Sequence, residues 1–208
     1  MTEIIVSGAA QIRLPADRAV VNVSVAANGP QREEVMRQAA AEHARLVARA
    51  VQLVDAGSAA HYVASPIDTY TNSWRDERGA QTTEHHAGVS VSIELSELGL
   101  VAELTFELAQ SGADARVSWE LSDAQRRDAM RALRAEAVAD ARRTAEDYAV
   151  ALGDTVGVRL ESLRDGQGGY GGPIPIMRAA MAADKAAPEV TAREVEVSVT
   201  LEATFVTV

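Results

Sequence analysis

The chain of 208 residues contains no cysteine. Disulfides, thiolate nucleophiles and cysteine-ligated metals are therefore excluded, although nothing follows about the redox compartment. Lysine is nearly absent too. Lys185 stands alone against nineteen arginines, and thirty acidic residues leave a net charge of −10 with a pI near 4.9. That balance opposes a nucleic-acid partner, because a phosphate backbone needs clustered cations. The arginines are dispersed among acids, six against six over 123–152, which reads as a solvated and self-paired face. Aromatic residues make up 4%, too few for the stacking platform that single-stranded nucleic acids need. No apolar run approaches the ~20 residues that cross a bilayer, so no membrane span is expected. The start, Met-Thr-Glu, shows no basic stretch ahead of an apolar one. The expectation is a cytoplasmic protein, or a periplasmic or secreted one whose leader lies outside this chain.

Period-two alternation is abundant. Ile4–Leu14 reads as a strand, Pro15-Ala16-Asp17 as a tight turn, and Ala19, Val21, Val23, Val25 and Ala27 as a second strand hairpin-paired with the first. A helix follows Asn28-Gly29-Pro30, with Val35, Ala39, His43, Leu46, Ala50 and Leu53 on its apolar stripe and Gly57 as its stop. Extended segments at 62–74 and 82–95 flank a charged turn at 75–79. A helix of about three turns begins after Ser96, carrying Leu98, Val101, Thr105 and Leu108. The strand from Ala115 to Leu121 then enters a long helix through Ser122 and Gln125, the spacing of a capping box. Met130, Leu133, Ala137, Ala141, Ala145, Tyr148 and Leu152 form that helix's stripe, and Gly153 ends it. Strands at 158–163 and 195–205 close the chain.

The order ββαββ-αβαββ mixes hairpins with strand–helix–strand crossovers. It predicts an α+β protein, a two-layer α/β sandwich with mixed or antiparallel sheet and helices on one face. Residues 1–208 are expected to form one domain, or two intimate lobes over 1–96 and 97–208. Residues 166–188 are rich in glycine, proline, methionine and alanine. They read as a flexible loop, as an arm whose Ile174, Ile176, Met177 and Met181 pack against another subunit, or as a ligand lid.

No assembled active site is visible. Gly166-x-Gly168-x-x-Gly171 matches the dinucleotide pattern, but Pro173 and Pro175 follow where a helix must begin, so no cofactor is expected. His85 and His86 are adjacent on a strand and point to opposite faces. A metal or polar site there needs one of them joined by His61 or Asp68, with Glu84 as a further candidate. His43 reads as a boundary histidine. Gly88-Val89-Ser90-Val91-Ser92 fails the nucleophile-elbow pattern at its last position. Asp17 reads as a turn residue.

The ordered set Ile5-Val6-Ser7-Gly8, Pro15-Ala16-Asp17-Arg18-Ala19, Ser111-Gly112-Ala113, Trp119-Glu120-Leu121-Ser122-Asp123, the alanine helix ending at Leu152-Gly153, and the loop feeding Val195-x-Val197-x-Val199-x-Leu201 resembles the SIMPL-domain family. That family includes bacterial periplasmic or outer-membrane immunogenic proteins and a eukaryotic kinase-binding protein. The resemblance implies a two-layer α/β protein that forms homo-oligomers, with stress-related or protein-binding roles and no agreed catalytic residues. The expectation is a non-enzymatic self-assembling protein. The alternative is a small-molecule or metal-binding protein, or an enzyme, with a pocket between sheet and helices.

Overall fold

The computed structural model describes residues 2–75, 79, 81–154, 157–166 and 192–208. Eight strands and three α-helices occur among them: β1 (Glu3–Pro15), β2 (Arg18–Gly29), α1 (Arg32–Asp55), β3 (Ala59–Ala64), β4 (Asp68–Arg75), β5 (Gln81–Leu95), α2 (Val101–Gln110), β6 (Asp114–Glu120), α3 (Asp123–Ala151), β7 (Val158–Asp165) and β8 (Glu194–Thr207). All pairing is antiparallel, in two sheets, and the architecture is the expected α+β sandwich. The chain divides into two compact units, one formed by β1, α3, β7 and β8, the other spanning Asp17–Glu120.

The first unit is a three-stranded sheet in the order β1-β8-β7. β8 pairs with β1 from Glu3↔Val206 to Pro15↔Glu194. Alternation makes this strand amphipathic: Val195, Val197, Val199, Leu201, Ala203 and Phe205 are buried. Helix α3 lies on that face. Ser122 accepts the Gln125 amide at 3.3 Å, which forms the forward half of the capping box, while Gln125 Oε1 finds no partner among the described residues. The buried stripe is Ala129, Leu133, Ala137, Ala141, Ala145 and Ala149. Tyr148 and Leu152, expected on it, are exposed, and Met130 is half-buried. The stripe follows the i+4 ridge of small residues because only alanine lets the helix come this close to the sheet.

In the second unit β5 is the central strand. It pairs with β2 on one edge, β2 pairs onward with β6, and β3 and β4 lie end to end along the other edge. The single segment expected over 62–74 is thus two strands. Pro66, which lacks an amide to donate to a ladder, sits in the break between them. Val21, Val23, Val89, Val91, Ile93 and Leu95 fill the core face, with Val35, Ala39, Leu46, Ala50 and Leu53 of α1 and Val101, Leu104 and Leu108 of α2. Arg49 ties α1 to α2 by donating to Glu107 at 2.8 Å.

The expected β1–β2 hairpin does not form. In the link between them the Ala16 amide donates to the Arg193 carbonyl and the Asp17 amide to the Glu120 carbonyl. These successive donors commit the chain to different sheets, so the turn changes sheet instead of folding the strand back on itself.

Candidate functional site

β2 ends opposite His85, whereas β4 and β5 continue together to Arg75↔Gln81. A two-stranded ribbon therefore extends past β2, and every residue of β4 is exposed. His85 and His86 stand at its root.

Antiparallel register sets their surroundings. Tyr70 is directly opposite His86 and Thr71 opposite His85. Directly paired side chains share a face, so Tyr70 and His86 stack, with centroids 4.5 Å apart and planes within 4°. On this face Asn28 Nδ2 donates to Glu84 Oε1 at 2.6 Å, and Glu84 Oε2 lies 3.3 Å from His86 Nε2. That second approach is not an aligned hydrogen bond, since Nε2 is buried without a hydrogen-bond partner among the described residues.

The other face looks towards α1. There Thr71 Oγ1 and His85 Nδ1 are 3.0 Å apart. A cleft of about 180 Å³ lies beside them, walled by Thr69, Tyr70, Thr71, His85 and His86 on the ribbon and by Arg32, Val35 and Met36 on α1.

The polar candidates do not converge. His85 and His86 occupy opposite faces, as the strand period requires. Asp68 is exposed opposite Gly88. His61 pairs with Glu94, its Nδ1 3.5 Å from Oε2, and Arg18 approaches the same carboxylate at 3.5 Å. Glu94 is eight positions along β5 from His86, roughly 27 Å at ~3.4 Å per residue, so His61 cannot join the others. No group of three or more metal-ligating side chains occurs among the described residues. His43 is half-buried, with Nε2 lacking a hydrogen-bond partner among the described residues. The Gly166 amide donates to the Thr200 carbonyl at 3.0 Å, so the sheet occupies the first amide of the dinucleotide-like motif. Ile174, Ile176, Met177 and Met181 lie outside the described residues.

Arg32, Thr69, Thr71 and Tyr70 were not indicated by motif. The charged turn at 75–79 gave no signal for the last two, because counting outward from its middle at residue 77 pairs 70 with 84 and 71 with 83, whereas the strands pair 70 with 86 and 71 with 85.

The family model for SIMPL, described as a protein of unknown function (DUF541), matches residues 4–205. The chain belongs to the SIMPL family. Nearly the whole length is covered, so both sheets and all three helices fall within the SIMPL match. Comparison with curated proteins gives no match. No helix among the described residues is long and apolar enough to cross a membrane.

Proposed function

We propose that this SIMPL-family chain is a non-enzymatic protein that assembles with copies of itself and serves a stress-related or protein-binding role. The ribbon is the observation that carries the reading. β4 offers eight consecutive exposed residues on an edge with no outer partner among the described strands, and Tyr70 and Trp74 are 60% and 46% exposed on it. An open edge with large aromatic groups is a template for adding a strand from another molecule. In the other unit β7 is also an edge strand, with Leu160 and Leu163 exposed.

The test is the mass of the intact chain in solution, by light scattering after size exclusion at about 10 μM. The expected result is a discrete oligomer that shrinks when Tyr70→Ser and Trp74→Ser are combined. A monomeric wild-type chain sinks the reading.

A further inference from the structure

The cleft between α1 and the ribbon gathers hydrogen-bond donors and a cation, with no acid on its walls. Arg32 is exposed, lines the cleft and has no hydrogen bond or ion pair among the described residues. Glu33 is adjacent to it along α1, and Glu34, two positions on, is engaged by Arg37 at 2.7 Å and by Gln38 at 2.8 Å. The Thr69 hydroxyl has no partner among the described residues. His85 is held through Nδ1 by Thr71, which leaves Nε2 without a described partner. When the Thr71 hydroxyl donates to Nδ1, the imidazole proton sits on Nε2, and that atom becomes a donor. Val35 and Met36 supply an apolar wall.

We propose that this cleft binds a small organic anion, its carboxylate or phosphate group held by Arg32 and His85 and its apolar part resting on Val35 and Met36. A guanidinium offers a planar fork of donors matched to either oxyanion. An Nε2–H and a free hydroxyl complete a donor set suited to negative oxygen. The same guanidinium repels a cation, which makes His85 a poor metal ligand here. The cleft volume of about 180 Å³ limits the occupant to a few heavy atoms beyond the charged group, well below the ~300–1,000 Å³ of drug-sized sites. This inference is independent of self-assembly.

The experiment titrates the intact protein with inorganic phosphate and, separately, with butyrate at constant ionic strength. Binding is followed by NMR at the backbone amides near Arg32 and Thr71 and at the His85 imidazole nitrogens. Saturable shifts with a Kd of about 0.1–10 mM are expected for at least one probe. Arg32→Gln should weaken binding about tenfold or more, and Arg45→Gln, on the same helix but paired with Glu42 outside the cleft, should leave it unchanged. His85 should move towards its Nε2–H form as the site fills. Phosphate alone binding assigns phosphate monoesters; butyrate alone assigns short carboxylates. If neither probe saturates by ~20 mM, or if Arg32→Gln binds as well as wild type, the proposal is overturned.

Discussion

Gly8 of β1 faces Ala141 of α3 so closely that a methyl group on the glycine would stand 2.8 Å from the alanine Cβ. It would also collide with the Ala137 carbonyl oxygen, which is backbone and cannot swing aside. The close approach of helix to sheet thus needs both partners small, glycine on the strand and alanine on the helix. Gly8→Ala is expected to cost about 1–3 kcal/mol or more, the range for overpacking a tight core. Urea unfolding measures it, and a wild-type midpoint would mean that α3 stands off further than described.

A carboxylate on the same helix reaches the outer edge of β1. Asp140 Oδ2 accepts the Ala9 amide at 3.1 Å, covering a strand donor that β8 does not use. Asp140→Ala should cost roughly 1 kcal/mol, as loss of one exposed hydrogen bond does. Its specific signature is faster hydrogen exchange at the Ala9 amide, with the neighbouring β1 amides that bond to β8 unaffected.

The start of α3 gives a third expectation. Ser122 Oγ is the acceptor for the Gln125 amide. Ser122→Ala should therefore lower stability by about 1 kcal/mol, and Ser122→Asp should largely restore it. Because Gln125 Oε1 has no partner among the described residues, Gln125→Ala should fall within ~0.5 kcal/mol of wild type. A large effect at Gln125 would indicate that the reciprocal half of the box also forms.

Helix α1 carries a titrating pair on its exposed face. The Glu34 carboxyl is held below its usual range, first by the hydrogen bond from Arg37 and then by that from Gln38, and Arg37 is raised in turn by Glu34. A lowered carboxyl favours the folded state above the ordinary glutamate range, and that contribution disappears as pH falls through the folded value. Arg37→Gln should bring the Glu34 midpoint up towards the ordinary range in a side-chain NMR titration. An unmoved midpoint would show that Arg37 is not the cause.

Much of this fold could be read along the chain, because β8 and β5 alternate cleanly and α1 carries its stripe from Val35 to Leu53. What alternation does not encode is the partner of each strand. β1 and β2 look like a hairpin, yet the donors of Ala16 and Asp17 send them to separate sheets. On α3 the large Tyr148 outranks Ala149 by hydrophobicity, but close packing selects the smaller residue. The candidate cleft was half legible. His85 was visible, but the middle of the charged turn at 75–79 would set Thr71 opposite Thr83, and Arg32 enters only through the placement of α1 against the ribbon.

The antiparallel pairing of β1 with β8 has a consequence for how the polypeptide emerges from the ribosome. Thr2 and Thr207, 205 positions apart, are bonded to each other, so β1 waits for β8, which is made much later. All strands of the sheet within Asp17–Glu120 are already available when Glu120 appears. That half can close during translation, while Ile4 and Val6 remain without their strand neighbour until β8 has been made. The half within Asp17–Glu120 thus matures ahead of β1 itself, which finds its place only once β8 arrives.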